Sequence, residues 1–214
     1  MIDEAERNLV VAAARRTATL GLTHGTSGNV SCRTPDGMLI TPSGISYDGL
    51  ESADVVAMAL DGTIAPGGRR RPSSEWRIHA RLYQARPDAG AVVHGHSPAA
   101  SAVACLGRGL PSFHYMIAIA GGDSVPGTGY ALFGTEALAA LAAAAMRDRW
   151  ACLLAHHGLL AAGTTLDHAM AVAAEVEFLA DLYLRLLPLG EPARLDPEQM
   201  RAVIDRFRSY GQPG

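Results

Sequence analysis

The chain has 214 residues, of which 49% are hydrophobic and 18% are charged, and its formal net charge is −3. This composition is typical of a compact globular protein and excludes a disordered chain. The small net charge gives no reason to expect nucleic acid as a partner, and the longest basic run is the Arg triplet at 69–71. We expect a single domain that spans residues 1–214.

The N-terminus and the cysteines favour a cytoplasmic protein. The first ten residues are acidic and lack the basic start and apolar core of a signal peptide. The most apolar stretch, "ALAALAAAAM", is too short to span a bilayer, so we expect no membrane partner. Cys32, Cys105 and Cys152 are dispersed without a C-x-x-C motif, which favours reduced and buried thiols.

Turn residues and hydrophobic periodicity predict interleaved helices and strands along the chain. In the first half they predict a helix from Asp3 to Leu20, two strands joined by the "TPDG" turn, a hairpin at 61–62 and a helix after 73–74. They then predict strands at "AVVHGH", "SFHYMIAIAGG" and "WACLLAHHGLLAAG", with helices at 98–106, 136–147 and 164–187 and from 197 onward. Tight hairpins join several strands, so we expect a mixed, largely antiparallel sheet covered by helices.

The segment "AVVHGHSPAA" places His94 and His96 one residue apart at the end of an apolar run. The period of two in a strand sends both imidazoles to the same face. Two neutral imidazoles on one face suit a metal ion. The alternative is a solvent-exposed pair at the end of a strand, since two ligands alone do not make a site.

A second apolar strand ends in "LLAHHG", which contains His156 and His157. Adjacent strand residues point to opposite faces, so one of these histidines can join His94 and His96, and periodicity does not say which. Three histidines leave an open fourth position of the kind found in catalytic zinc sites. The alternative is that His156 and His157 are hydrogen-bonded core residues beside a turn.

The segment "RPSSEWRIHARLYQ" places Glu75 in the first turn of a predicted helix, with Ser73 or Ser74 as its N-cap. Glu75 there favours the helix dipole, and His79, four residues later, offers an ordinary side-chain contact. Alternatively, the serine hydroxyls and free N–H groups at this helix start form an anion site. Two more Gly- and Ser-rich turns, at 25–29 and 42–44, can point N–H groups at a phosphate.

Several segments, in this order, resemble the class II aldolase/adducin family over nearly the whole chain: "GLTHGTSGNVS", "LITPSG", "PSSEWRIHARLYQARPDAGAVVHGH", "FHYMIA", "YALFGT" and "LLAHHGLLA". The resemblance implies a three-layer α/β/α fold on a mixed, mostly antiparallel sheet of nine strands. It also implies one Zn²⁺ per subunit and a homotetramer with active sites at the subunit boundaries.

The resemblance further implies roles for the metal-binding and catalytic residues. The zinc ligands correspond to His94, His96 and His157. Glu75 corresponds to the acid/base carboxylate, and Tyr115 corresponds to a tyrosine that protonates the aldehyde oxygen.

The substrate-binding residues also follow from the resemblance. The aldehyde end of the substrate corresponds to Phe133 and Tyr210. The phosphate site corresponds to Thr26, Ser27, Gly28, Asn29, Ser43, Gly44, Ser73 and Ser74. Gly95 stands where a family aldolase carries Asn, and this difference leaves the identity of the aldehyde open.

The implied reaction is the reversible cleavage of a ketose 1-phosphate, with L-fuculose 1-phosphate as the expected substrate, to dihydroxyacetone phosphate and L-lactaldehyde. Zn²⁺ bound by three neutral imidazoles keeps its full charge and stabilises the enediolate that forms. We expect Glu75 to need a pKa raised by an apolar or metal-tuned setting to exchange protons near neutral pH.

Other activities share many of these motifs. Sister aldolases that act on 5-deoxypentulose or methylthiopentulose 1-phosphates keep nearly all of them. Sugar-phosphate 4-epimerases of the family tend to carry Asp where Glu75 stands, and a four-carbon acid phosphate decarboxylase is a further alternative. The adducin-like head is the non-enzyme alternative, but it lacks the zinc histidines.

Overall fold

The computed structural model describes residues 4–208, and six strands within this range form one sheet. The strands are β1 (Asn29–Thr34), β2 (Gly37–Ile40), β3 (Val56–Met58), β4 (Ala91–Gly95), β5 (Ala151–Leu154) and β6 (Gly158–Gly163). Their order across the sheet is β3-β2-β1-β4-β6-β5, and each neighbouring pair is antiparallel. Strands β1 and β4 therefore lie at the centre, with partners on both sides.

Six α-helices accompany the sheet in the described range: α1 (Glu4–Thr19), α2 (Trp76–Ala85), α3 (Pro98–Cys105), α4 (Glu136–Ala145), α5 (Leu166–Leu186) and α6 (Pro197–Arg208). The hydroxyl of Thr135 caps α4 as predicted, because it accepts a hydrogen bond from the N–H of Leu138. Helix α5 is capped by Thr165, one residue later than the sequence indicated. None of the helices in residues 4–208 combines the length and the apolar character needed to cross a bilayer.

Helices cover both faces of the sheet because successive strand residues alternate between two hydrophobic cores. On β4, Ala91 and Val93 pack into a core with α1, α3 and α5, whereas Val92 packs into a second core with α2 and α4. On β6, Leu159 belongs to the first core and Leu160 to the second. The sheet is therefore the middle layer, and side chains that share the face of Val92 point toward α2.

The prediction of nine strands is wrong, since residues 4–208 contain six. Further segments pair through isolated bridges only, such as Leu110 with Val125 and Gly127 with Leu153. The second of these bridges is parallel, whereas the ladders between strands are antiparallel. Pro126 has no N–H to donate and Gly127 has no side chain to pack, so this segment does not extend into a strand.

The segment "SFHYMIAIAGG" also differs from its predicted strand, because residues Tyr115–Ala120 form a 3₁₀ helix. Nδ1 of His114 accepts a hydrogen bond from the N–H of Met116 and so caps this helix. Gly121 ends the helix in the left-handed region, at a φ of 85°. The buried positions Ile117, Ala118 and Ala120 do not alternate strictly with exposed residues, and the local turn is therefore helical.

Gly95 ends β4 at a point where the backbone of Leu22 passes very close. A methyl group added to Gly95 would overlap the carbonyl oxygen of Leu22, so the backbone would have to move. We expect Gly95→Ala to lower the free energy of unfolding by about 1–3 kcal/mol, measured by urea denaturation. The control is Gly49→Ala, because a methyl group there meets no described atom within 4 Å. Equal unfolding free energies for the two variants would contradict the expected clash.

Candidate active site

Four side chains from three parts of the chain meet at one end of the sheet. They are Glu75, His94, His96 and His157, and one potential ligand atom of each lies within 4.8 Å of those of the others. Glu75 directly precedes α2, and the two nearby histidines lie at the end of β4 and just after it. The fourth side chain comes from the turn between β5 and β6.

The alternation of β4 places its two histidines together. Val92 packs into the core beneath α2, so His94 and His96 point to the same side of the sheet. Their ring centroids are 4.8 Å apart, which confirms the prediction that they share one face. Because Glu75 lies at the start of α2, the same side of the sheet brings its carboxylate to them.

The turn after β5 separates the two adjacent histidines. The sequence predicted that they lie at the end of a strand, but His156 and His157 lie in the turn at 155–157. His156 has a positive φ of 55° and an exposed side chain, whereas the ring of His157 lies 4.8 Å from that of His94. Turn geometry rather than strand alternation therefore brings His157 into the cluster.

The geometry of the cluster requires a positive charge within it. Nδ1 of His94 lies 2.9 Å from the carbonyl oxygen of Leu159, which accepts only, so this nitrogen carries a proton. Nε2 of His94 then faces Nε2 of His96 at 3.0 Å and Oε2 of Glu75 at 3.1 Å. In a neutral ring this nitrogen has only a lone pair, so its contact with the oxygen of Glu75 would join two acceptors. A cation between the two atoms relieves this contact.

The donor set fits a divalent transition metal. Imidazole nitrogen and carboxylate oxygen are ligands that Zn²⁺ accepts in a four-coordinate site. Oε1 of Glu75 lies 3.2 Å from Nε2 of His157, and it is buried without a hydrogen-bond partner among the described residues. A buried carboxylate oxygen of this kind is costly unless a cation lies nearby. The four side chains thus form a candidate metal centre.

The pKa values of Glu75 and His96 leave the carboxylate ionised and the imidazole neutral at pH 7, so both groups have lone pairs that can bind a cation. Burial raises the pKa of the Glu75 carboxyl, but His94 and His157 lower it more, so its net pKa lies below the usual range. This direction is opposite to the raised pKa that we expected, because two imidazoles lie within hydrogen-bonding distance. Burial, together with its histidine neighbours, lowers the pKa of His96 to about 4, so its ring is neutral at pH 7.

A cavity of about 260 Å³ opens directly beside the cluster. Its lining consists of Ser74, Glu75, His96, Tyr130, Ala131, Phe133, His156 and His157. Phe133, the residue predicted for the aldehyde end, is 61% exposed and forms part of this lining. The ring of Tyr130 meets that of His156 edge-on, with 6.2 Å between the centroids. The cavity is therefore polar on the side of the cluster and mostly apolar at its outer wall.

The three turns predicted for phosphate binding are hydrogen-bonded to one another or to a common neighbour. The N–H of Ser73 donates to the carbonyl of Thr41, and the N–H of Ser43 donates to that of Arg71. The hydroxyl of Thr41 also accepts a hydrogen bond, over 3.1 Å, from the N–H of Val30, which follows the turn at 25–29. The turns at 25–29 and 42–44 and the start of α2 are thus connected next to Glu75.

The side chains on these turns differ in exposure. Thr26, Ser43, Gly44 and Ser74 are exposed, and Ser27 and Gly28 are partly buried. The hydroxyl of Ser27 donates to the carbonyl of His24. Ser73 is buried, and its hydroxyl accepts a hydrogen bond from the N–H of Glu75. The N-cap position of α2 belongs to Glu75, rather than to a serine as predicted.

The burial of Asn29 and its contacts were not predicted from the sequence. Asn29 is buried, and its Nδ2 donates to Oε2 of Glu75 over 3.2 Å, while its Oδ1 contacts Nε2 of His79. The contact expected between Glu75 and His79 therefore runs through Asn29. The signal in the sequence was the spacing of Glu75, His79 and Tyr83 at intervals of four residues, which places them along one side of α2.

Comparison with known proteins identifies the family of this chain. The family sequence model for the class II aldolase and adducin N-terminal domain matches residues 8–184 of the chain. The chain belongs to the class II aldolase family. It is 49% identical over 205 residues to the 5-methylthioribulose-1-phosphate/5-deoxyribulose-1-phosphate aldolase of Rhodospirillum rubrum, which covers 96% of this chain and 92% of the relative.

The chain is also similar to a second curated aldolase and to an aldolase of known structure. The chain is 48% identical over 193 residues to the L-fuculose phosphate aldolase of Escherichia coli, which covers 90% of this chain and 89% of the relative. A solved structure of L-fuculose 1-phosphate aldolase superposes with a TM-score of 0.93 at 38% identity, covering 97% of this chain and 98% of the other. The family and the class II aldolase fold predicted from the motifs are confirmed, apart from the strand count.

Two residues predicted to act in this class II aldolase lie away from the cluster or outside the described range. Tyr115 is 51% exposed and lines a separate cavity of about 700 Å³ together with Met116 and residues of α6. It is not part of the lining of the cavity beside His96. Tyr210 lies outside the described residues.

His79 gives the metal-free aldolase a pH-dependent stability. Complete burial, with a contribution from His94, lowers the pKa of His79 from 6.5 to about 3. Between these values the unfolded chain binds more protons than the folded one, so stability falls as the pH drops below about 6.5. The slope contributed by this histidine reaches ~1.4 kcal/mol per pH unit.

The measurement is chemical denaturation of the metal-free protein from about pH 7.5 to about pH 5, compared with His79→Gln. Glutamine does not titrate, so we expect the slope of the variant to be smaller by about one proton. Identical slopes for the two proteins would show that His79 takes up its proton in the folded state.

Proposed function

We propose that the chain is a zinc-dependent aldolase that reversibly cleaves a ketose 1-phosphate to dihydroxyacetone phosphate and a short aldehyde. The observation that carries this proposal is the convergence of one buried carboxylate and three imidazoles beside a cavity. Membership of the class II aldolase family and the aldolases among its relatives support the reaction. The presence of three metal-binding histidines argues against an adducin-like head.

In this proposal His94, His96 and His157 hold one Zn²⁺ per subunit. When bound, the ion supplies a Lewis acid for the negative charge that develops as the carbon–carbon bond breaks. The hydrogen bond from Nδ1 of His94 to Leu159 supports this role, because it turns the lone pair of Nε2 toward the centre. Glu75 lies close enough to the three histidines that its carboxylate would be a fourth potential ligand.

Glu75 and Tyr115 are proposed to move the protons of the reaction. In the synthesis direction the carboxylate of Glu75, which lies beside the cavity, takes a proton from the carbon next to the carbonyl of dihydroxyacetone phosphate, and the hydroxyl of Tyr115 gives its proton to the aldehyde oxygen as the carbon–carbon bond forms. Cleavage is the reverse of these two proton transfers. Because Tyr115 lines a different cavity in its own subunit, we place it in the site of a neighbouring subunit, in a homotetramer.

The three connected turns are proposed to bind the substrate phosphate through N–H groups and hydroxyls. The predicted set is Thr26, Ser27, Gly28, Asn29, Ser43, Gly44, Ser73 and Ser74. The exposed side chains of Thr26, Ser43 and Ser74 support this role, since their hydroxyls reach solvent. The amide of Asn29 is engaged with Glu75, and its contribution to the phosphate site remains a proposal.

Two classes of ketose 1-phosphate compete for this site. L-Fuculose 1-phosphate, which yields L-lactaldehyde, is proposed from the motifs and from the relative in Escherichia coli. A 5-deoxy- or 5-methylthiopentulose 1-phosphate is the second candidate, and the name of the relative in Rhodospirillum rubrum favours it. The apolar outer wall, with Phe133 and Tyr130, accommodates a methyl or methylthio end in either case. Values of kcat/KM for both classes decide between them.

We also propose a cytoplasmic location. Cys32, Cys105 and Cys152 are all free thiols in the structure. Burial raises the pKa of Cys152 to about 12, whereas Cys105 is exposed, in contrast to the buried thiol that we expected. An exposed free thiol persists most readily in a reducing compartment.

The two adjacent histidines provide a matched test of the metal site. We expect His157→Ala to weaken zinc binding by at least ~10-fold, because it removes a ligand atom of the cluster. His156→Ala is the control, since its exposed ring lies outside that cluster and zinc affinity should stay near that of the wild type. Zinc is measured by elemental analysis after dialysis and by competition with a chelator. A loss of zinc in the His156 variant alone would contradict the ligand assignment.

Glu75→Gln tests the proton-transfer role. The amide keeps nearly the same shape but cannot carry the proton, so we expect kcat to fall by ~10²–10⁴-fold while the histidines still hold zinc. Cleavage is measured with L-fuculose, L-rhamnulose, 5-deoxyribulose and methylthioribulose 1-phosphates, after zinc content and subunit assembly have been checked. If turnover stays near that of the wild type with zinc bound, Glu75 does not transfer the proton and has only a structural role at the helix start.

A further inference from the structure

Behind Glu75 lies a row of four polar side chains, three of which (Ser31, His79 and Tyr83) have no role in the proposed reaction. Asn29 and Ser31 come from β1, and His79 and Tyr83 come from the facing side of α2. Each of the four is at most 1% exposed. Polar groups this deeply buried are costly unless each one is hydrogen-bonded, so their pattern of donors and acceptors is informative.

The carboxylate of Glu75 sets the direction of the hydrogen bonds. A carboxylate only accepts, so Nδ2 of Asn29 is the donor at 3.2 Å. The other end of the amide, Oδ1, accepts and faces Nε2 of His79, which must therefore carry a proton. These two contacts fix both the orientation of the amide and the tautomer of the ring.

The rest of the row continues in the same direction. With its proton on Nε2, the neutral ring of His79 has an acceptor at Nδ1, and the hydroxyl of Ser31 lies 2.7 Å away as its donor. The hydroxyl of Tyr83 lies 2.7 Å from that of Ser31 and donates to it in turn. Every donor thus points along the row toward Glu75.

The two oxygens of the carboxylate become unequal as a result. Oε2 receives the hydrogen bond from Asn29 and lies 3.1 Å from Nε2 of His94. Oε1 receives no hydrogen bond from the row and lies 3.2 Å from Nε2 of His157, on the side of the cavity. The row therefore anchors Oε2 and leaves Oε1 as the oxygen that the row does not hold.

We propose that His79 is a positioning residue for Glu75, acting through Asn29. The N–H of His79 holds the amide of Asn29 with its NH₂ group toward Oε2, so that Oε1 is the oxygen that exchanges the proton. Without this N–H the amide can turn its carbonyl toward the carboxylate, and the anchor is replaced by repulsion between acceptors. The inference rests on the proposed function, because it assigns the proton transfer to Glu75.

The test compares two substitutions of His79 that differ in one donor. His79→Leu removes the N–H, and we expect kcat to fall by ~10–100-fold while zinc content and KM stay near those of the wild type. His79→Gln places an amide N–H near the position of Nε2, and it should restore most of kcat. The matched control is Leu82→Ala, which disturbs the buried side of α2 without touching the row and should leave kcat nearly unchanged.

A second measurement needs neither metal nor turnover. Long-range ¹H–¹⁵N spectra of the metal-free protein, assigned with the His79→Gln variant, report which ring nitrogen of His79 carries the proton. We expect the neutral tautomer with the proton on Nε2. A proton on Nδ1 would reverse the row and overturn the proposal, even if His79→Leu fails to fold.

The outcomes separate this inference from the proposed function. Equal losses of kcat in the Leu and Gln variants, or an equal loss in Leu82→Ala, would show that packing rather than the donor matters and would overturn the positioning role. An unchanged kcat in His79→Leu, together with a large loss in Glu75→Gln, would overturn it as well but leave Glu75 as the proton-transfer group. An unchanged kcat in Glu75→Gln would instead overturn the proton-transfer role proposed above.

Discussion

A buried carboxylate that faces three imidazole nitrogens is stable only if a positive charge lies among them. In this chain Glu75 lies within 3.2 Å of ring nitrogens of His94 and His157, at the end of a densely packed sheet. Burial limits how far water screens the charge of Glu75, so a proton or a metal ion must supply the positive charge. The central position of β4 in the sheet and the turn at His156 bring these groups together.

The strand and the helix start that carry these groups are each held in place by further hydrogen bonds to the sheet. Strand β4 is held on both sides by β1 and β6, which fixes the position of His94 and of the backbone that leads to His96. The start of α2 is tied to the sheet through Ser73 and Thr41, which fixes the backbone next to Glu75. A site built from a central strand and a helix start is more precise than one built from free loops. Such precision suits a reaction whose charge develops within a small volume.

The sequence predicted the parts of this arrangement that depend on local patterns. Period two placed His94 and His96 on one face, and Thr135 was recognised as a helix cap. Periodicity left the choice between His156 and His157 open, because it depends on a turn whose left-handed residue is not a glycine. The number of strands was overestimated, since single bridges such as that between Leu110 and Val125 depend on which segments meet in three dimensions. The contacts of Asn29 with Glu75 and His79 were not predicted, because they join residues 46 and 50 positions apart.

Burial separates the residues proposed for the chemistry from those proposed for substrate choice. Glu75 and His94 are buried and contact Asn29 and the carbonyl of Leu159, so truncating either side chain leaves a buried polar group without its partner. Tyr130, Phe133 and His156 lie exposed at the rim of the cavity and support little else in the described fold. A different aldehyde can therefore be accommodated by exchanging rim side chains, with little cost in folding free energy. Relatives named for different ketose phosphates are similar to the chain at 49% and 48% identity. In the proposed function, the buried cluster carries the cleavage chemistry, and the few rim residues that would meet the aldehyde carry the choice of substrate.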